Sequence, residues 1–211
     1  MAQAGNRGIF ASIYANRSWS FGSGHGSLPA VTRSYRRYLQ AFIDRPEIRR
    51  VVDLGCGDWQ FSRYMDFSGV DYLGLEVVPE LVAANTRAFG RTNIRFDYAP
   101  AAFADLPPAD LLIAKDVLQH WPNRDIAAFL ETAPAKYRYL LLTNCVRPGR
   151  HRNTDIPLGS FRPLDLREAP FGVRAERVHR FFGPVTLSLR PLRLYPAWEK
   201  HVLLIHGHGP G

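Results

Sequence analysis

Apolar and polar positions fall into blocks along the chain, and the period changes from block to block. Short apolar runs at Arg50–Leu54, Val70–Glu76, Asn93–Tyr98, Asp110–Ala114 and Tyr137–Asn144 read as strands. The last of these, YRYLLLTN, is apolar with little alternation, which suits a strand covered on both faces. Helical period stands between the runs. Val31–Ile43 brings Val31, Tyr35, Tyr38, Leu39 and Phe42 to one face, and Asp44, Arg45 and Pro46 end it. Gln60–Asp66 reads as a short helix. Pro79–Phe89 opens on a proline, which a first turn tolerates, and Gly90 stops it. A further helix starts at Asn123 or Arg124 and runs to Thr132. Strands alternating with helices of this length predict an α/β domain built on a parallel sheet. Beyond it, Val173–Phe181 and His201–His206 read as two more strands, while the proline-spaced residues 183–199 show no assignable period. Residues 1–28, polar and glycine-rich, are expected to form a loop that closes over the domain as a lid. The domain proper is expected at 29–206 and a disordered tail at 207–211.

At 211 residues the chain has room for one such domain with a sizeable core. No apolar run approaches the ~18 residues of a membrane helix. The N-terminus lacks the apolar centre and cleavage site of a signal peptide. Cys56 and Cys145 each close an apolar run, so reduced thiols in a cytoplasmic protein are expected. The net charge of +8 and pI near 9.9 raise the question of nucleic acid. The cations are almost all arginine, with lysine only at Lys115, Lys136 and Lys200. They are scattered and form no single stripe. The expected partner is therefore a small molecule, an anionic one included, and neither nucleic acid nor a membrane. Nothing in the pattern fixes an oligomeric state.

Candidate chemistry concentrates in VVDLGCGDWQF, Val51–Phe61. A buried strand runs into Gly55 and Gly57, where the missing Cβ lets the backbone turn tightly and a ligand approach. A following helix start would offer free N–H groups to an anion. A dinucleotide loop would want a third glycine at position 60, where the chain has Gln60. Glu76 closes the second strand about 20 residues on, where a carboxylate can accept both hydroxyls of a ribose. A glycine turn and a ribose acid without the pyrophosphate glycine suit a mononucleoside cofactor with an amino-acid tail.

DLGCGDWQF, the acid in LGLEVVPELV and the segment AKDVLQHW together resemble the class I S-adenosylmethionine (SAM) methyltransferases over roughly residues 30–145. The segments W-x-x-G-S-G-x-G-S, D-W-x-F-S, K-D-V-L-Q-H and N-x-D-I-x-x-G-x-x-R-x-L-D-L resemble a bacterial subgroup more narrowly. The resemblance implies a Rossmann-like fold with a mostly parallel seven-stranded sheet and helices on both faces. It also implies SAM as cofactor. Carried over, it places Asp53 at the loop and the methionine amine, and Gly55 and Gly57 against the methionine and ribose. Glu76 falls on the ribose hydroxyls, Val77 on adenine, and Lys115 and Asp116 beside the methionine end. The implied cofactor contacts also take in Cys56, Asp58, Trp59, Tyr98 and Val117. The acid often found after the third strand is replaced by Ala99-Pro100, which leaves Asp97 as the nearest one.

For the transfer itself, His120 stands beyond the fourth strand as candidate base. A packing or capping histidine is the alternative. Asp116 would orient His120 or bind the cofactor amine. His25, in the lid, is the third catalytic candidate and also a substrate contact. Trp19, Trp121 and Asn144 are further substrate candidates, with Arg147, Arg152 and Arg162 offered to an anion. No His/Cys cluster has zinc spacing, so no metal is expected. The expected function is SAM-dependent methylation of an oxygen or nitrogen on a small polar or anionic acceptor. An RNA or protein methyltransferase, a NAD-dependent oxidoreductase (disfavoured by Gln60) and a non-catalytic SAM-binding protein stay as alternatives.

Overall fold

The computed structural model describes residues 2–16, 18–19, 22–147, 153–183, 186–189, 192–195 and 198–209, with only the backbone of 2–7, 186–189 and 192–195. In chain order the elements are α1 (Ala2–Ala15), α2 (Arg33–Ile43), β1 (Arg50–Leu54), β2 (Asp71–Glu76), α3 (Pro79–Phe89), β3 (Ile94–Tyr98), β4 (Ala109–Lys115), α4 (Asn123–Thr132) and β5 (Tyr137–Val146). Then come β6 (Glu176–Phe182), β7 (Thr186–Leu189), β8 (Leu192–Tyr195) and β9 (Glu199–His206).

Seven strands form one sheet in the order β3-β2-β1-β4-β5-β9-β6. The first five are parallel, and β9 enters antiparallel between β5 and β6. Alternation along each strand sorts the core into two layers. Val51, Leu111, Ile113 and Leu141 face Tyr35, Leu39 and Phe42 of α2. Val52, Leu112, Leu140 and Leu142 face Ile126 and Phe129 of α4. β4 is buried at every position, as befits the strand at the centre of the sheet. Asp110 ties its start to β1, its Oδ2 accepting the backbone N–H groups of Arg49 and Arg50 at 2.8 and 2.7 Å.

The chain winds outward from β1 to β3 and then crosses to β4, so the sheet reverses direction between β1 and β4. A crevice opens there at the carboxyl ends of the strands. It receives the turn after β1 and the segment after β4.

Four expectations are corrected. Residues 2–15 form a helix where a loop is expected: Phe10 packs into the core and Ile13 and Tyr14 against it. Gln60–Asp66 holds only a single 3₁₀ turn, Ser62–Tyr64. Within 183–199, β7 and β8 pair as an antiparallel hairpin. Finally, the tail is tied down as far as residue 209, because the N–H groups of Gly207, His208 and Gly209 donate to the carbonyls of Arg138, Pro134 and Tyr137. Both cysteines are free and buried. No helix among the described residues is long and apolar enough to cross a membrane.

Candidate cofactor and acceptor site

The turn after β1 is held from four sides. Gly55 and Gly57 take φ of 73° and 58°, the left-handed region that glycine enters without penalty. A Cβ at Gly55 would lie 2.6 Å from Val117 Cγ2, and one at Gly57 would collide with Ser23 Oγ. The Gly57 N–H donates to Glu76 Oε2 at 3.0 Å, while its carbonyl accepts from Asn85 Nδ2 of α3 at 2.8 Å. Glu76 Oε1 accepts from the N–H groups of Val77 and Val78 at 2.7 and 3.1 Å. Burial pushes the Glu76 carboxyl up, against the pull of these three donors. A carboxylate has about four acceptor positions, so one on Glu76 stays open to a ligand hydroxyl.

Asp53 lies deeper. Tyr72 donates its hydroxyl to Asp53 Oδ2 at 2.6 Å, and Trp59 Nε1 donates to the Tyr72 oxygen at 2.8 Å. Burial raises the Asp53 carboxyl to about 6, with Tyr72 and Lys115 pulling the other way. On the near side the N-terminal segment is latched to the turn. Ser23 Oγ donates to Asp58 Oδ1 at 2.7 Å and accepts from the Asp58 N–H at 3.1 Å, with the Tyr14 hydroxyl 2.8 Å away. Gly57→Ala should therefore both strain the turn and displace Ser23. The expected loss is about 1–3 kcal/mol, read by urea unfolding; an unchanged midpoint would show that the latch does not depend on the glycine.

The segment after β4 carries the second set. Asp116 sits at φ 59°, a left-handed position that a non-glycine residue rarely takes. Two lysines grip its carboxylate: Lys115 Nζ donates to Oδ2 and Lys200 Nζ, from β9, to Oδ1, both at 2.7 Å. The side chains are 3 % and 4 % exposed for the lysines and 14 % for the aspartate. Burial alone would raise the Asp116 carboxyl, but the two ammoniums hold it at about 2. Lys115 also donates to the Gly26 carbonyl at 3.0 Å, a second latch on the N-terminal segment, and Lys200 donates to Cys145 Sγ at 3.1 Å. This cluster corrects one of the two roles expected of Asp116, the orienting of His120. Its oxygens serve lysines, not His120.

His120 is oriented instead by the loop after β5. Its Nδ1 donates to the Ser160 carbonyl at 2.9 Å, which leaves Nε2 as the acceptor of the neutral ring. Burial lowers the imidazole pKa, so the ring is neutral at neutral pH. Trp19 covers it at 4.7 Å between ring centroids, and Phe161 at 5.9 Å. The loop is fastened to the segment carrying the histidine. Gly159 N–H donates to the His120 carbonyl, and Arg162 donates to the Gln119 carbonyl and to Asn123 Oδ1. Asp155 accepts the first N–H of α4, and Asn153 closes the loop through the Asp165, Glu168 and Ala169 carbonyls. The Asn153–Leu166 motif is thus a frame for His120.

One cavity of about 390 Å³ joins the two sets. Of the expected cofactor contacts it is lined by Asp53, Gly55, Cys56, Gly57, Asp58, Glu76, Val77, Lys115, Asp116 and Val117. His120, His25, Trp19 and Trp121 line it as well. The other candidates lie elsewhere. The Trp59 ring is buried among Phe67, Tyr72, Phe89 and Phe96. Asp97 is exposed because alternation along β3 turns Phe96 inward, and it accepts the Tyr98 N–H; Tyr98, on the face of Phe96 but at the strand's end, is exposed as well. Asn144 is buried on β5 away from the cavity, and Arg147 is exposed outside it. Arg162 is turned inward to Gln119 and Asn123 and does not reach a ligand. Arg152 lies outside the described residues.

Residues absent from the sequence-based set include Ser23, Asn85 and Lys200, together with Phe161 and Trp198 at the cavity edge. Two carried a signal. Lys200 is one of three lysines in an arginine-rich chain and stands just ahead of the apolar run of β9. Asn85 is a buried amide in mid-helix, where asparagine has low intrinsic preference.

A family model described as a methyltransferase domain matches residues 52–133, from β1 through α4. The seven-stranded sheet with helices on both faces is the Rossmann-like fold of SAM-dependent methyltransferases. A 1,6-didemethyltoxoflavin N1-methyltransferase from Burkholderia thailandensis, solved with its acceptor and S-adenosylhomocysteine (SAH), superposes with a TM-score of 0.65 at 17% identity, over 98% of this chain and 91% of its own. Magnesium protoporphyrin IX methyltransferase from Synechocystis PCC 6803 with bound SAH gives 0.54 at 18% identity, over 83% and 81%. By sequence, a ubiquinone biosynthesis O-methyltransferase from Xanthomonas axonopodis pv. citri (strain 306) is 27% identical over 119 residues, 54% of this chain. The chain spans about half the length of that curated relative.

Proposed function

We propose that the chain is an enzyme that transfers a methyl group from SAM to an oxygen or nitrogen of a small polar acceptor. The observation that carries this reading is the Gly57 peptide, held between Glu76 and Asn85 at the mouth of β1 and facing a cavity whose far side presents His120. The residues fit the cofactor. Glu76 keeps an acceptor position for a ribose hydroxyl, Leu75, Val77 and Ala99 offer an apolar wall to adenine, and Asp53 offers a carboxylate to the methionine amine. The match of residues 52–133 to a methyltransferase domain supports the same reading, as do solved neighbours whose names and contents record small-molecule acceptors and SAH.

When bound, the cofactor supplies an electrophilic methyl group on a sulfonium. The chain aligns the acceptor, excludes water and receives a proton. Segment 23–27, latched through Ser23 to Asp58 and through Gly26 to Lys115, forms one wall of the cavity. His120 Nε2 receives the acceptor's proton, while Ser160 fixes the ring from behind. Titration calorimetry tests the reading: SAM and SAH should bind the wild-type protein, and Glu76→Gln should weaken both by about tenfold, the worth of a lost charge-assisted hydrogen bond. Absence of any SAH binding to folded wild-type protein would overturn it.

A further inference from the structure

Two lysines share one carboxylate in this cavity. Lys115 and Lys200 carry two positive charges, Asp116 carries one negative charge, and all three side chains are largely withdrawn from water. A buried charge without a partner is costly. The two lysines are not equivalent. Lys115 gives donors to Asp116 and the Gly26 carbonyl and rests over the Phe61 ring at 5.2 Å. A further cavity carboxylate, Asp53, also feels Lys115. Among the described residues Lys200 donates to Asp116 and to the Cys145 sulfur, whose thiol burial keeps protonated, which leaves a third ammonium proton for a ligand. Burial pulls the Lys115 ammonium down, whereas Asp116 holds that of Lys200 up against its burial. The firmly held positive charge that lines the cavity is therefore that of Lys200, on β9 and next to β5, on the side away from Glu76.

The same side is aromatic. Phe161 and Trp198 line it with 44 % and 42 % of their surfaces exposed, and their rings meet edge to face at 5.4 Å. Trp19 and His120 complete the wall. Large rings left open at a cavity edge favour a flat partner that stacks on them.

We infer that Lys200 is a specificity-determining residue: it holds the anionic group of an aromatic acceptor whose ring lies against Phe161 and Trp198, presenting a separate O–H or N–H to His120. This rests on the methyltransferase reading, and the test keeps the two apart. SAH-loaded protein is titrated with three probes, 4-hydroxybenzoate, its neutral isostere 4-hydroxybenzamide, and cyclohexanecarboxylate, with NMR line shifts as readout. The wild type should prefer the hydroxybenzoate over the benzamide by about tenfold or more, as a charge-assisted hydrogen bond provides, and should bind the non-aromatic acid more weakly. Lys200→Met should abolish the preference and change SAH affinity less than about threefold. Asp116 keeps Lys115 in that variant, so the protein stays folded, and Lys200→Arg should retain the preference. Equal binding of acid and amide, no binding of any probe, or an equal loss of SAH affinity in Lys200→Met would each overturn the inference. The last result would assign Lys200 to the cofactor's carboxylate. Failure of SAH to bind at all would instead overturn the methyltransferase reading.

Discussion

Asp116→Asn is expected to cost about 3–5 kcal/mol of stability at neutral pH, the range for removing one partner from a buried ion pair. The asparagine keeps the shape and tolerates the left-handed backbone, so the loss isolates the charge. Without the carboxylate, Lys115 and Lys200 stand a few ångströms apart in a site that hides both from water. Their repulsion and desolvation then act unopposed. The pH dependence gives the signature. In the wild type the Asp116 carboxyl titrates at about 2 when folded against an ordinary 3.8. A depressed acid contributes stability that is fully present above the unfolded value and fades as pH falls through the folded one. The interval corresponds to about 2 kcal/mol, lost between roughly pH 4 and pH 2, and the variant should lack this acid limb. The variant has a second limb of its own. Two buried lysines without a partner have depressed values, so its deficit should shrink as pH rises toward the ordinary lysine value of ~10.4. Urea unfolding at pH 3, 7 and 10 measures all three points. A deficit under about 1 kcal/mol at pH 7, with no change across pH, would show that the lysine pair is not held by Asp116.

Where a structure is set by near neighbours, the residues already show it. β1 and α3 have the bounds that Arg50–Leu54 and Pro79–Phe89 predict, because a short buried run closed by Gly55 sets one and proline and glycine bracket the other. The glycine turn and Glu76 were legible for the same reason: both stand at the end of a strand whose direction is fixed by the sheet. α1 was not legible. Gly5 and Gly8 each lower helix preference by about 1 kcal/mol, and its stability comes from packing Phe10, Ile13 and Tyr14 against a domain that begins twenty residues later. Arg162 misled for a related reason. A guanidinium offers itself to any acceptor, and the chain has the Gln119 carbonyl waiting forty residues away, so Arg162 frames the catalytic candidate where a substrate anion was expected. Lys200 reaches Asp116 across 84 positions, a distance no local pattern reports.

His120→Asn is expected to reduce kcat by about 10²–10⁴-fold with an acceptor whose O–H or N–H must be deprotonated, while SAH affinity changes less than about threefold. The asparagine amide can replace Nδ1 as donor to the Ser160 carbonyl, so the loop that frames the site remains in place; only the Nε2 lone pair disappears. His120→Gln makes the opposite cut, setting an amide nearer the Nε2 position and giving up the bond to Ser160. A base needs the lone pair more than the anchor, so both variants should be inactive, but only the glutamine should lower thermal stability. The wild-type pH profile carries the same assignment. Burial lowers the imidazole below its ordinary 6.5, so kcat should rise with pH through a midpoint under 6.5 and stay level above it. The ring is neutral on the level part, with the proton on Nδ1, and histidine-selective NMR should report that tautomer directly. If His120→Asn keeps wild-type kcat, or if the ring carries its proton on Nε2, the histidine is a packing residue between Trp19 and Phe161 and proton removal falls to another group or to the solvent.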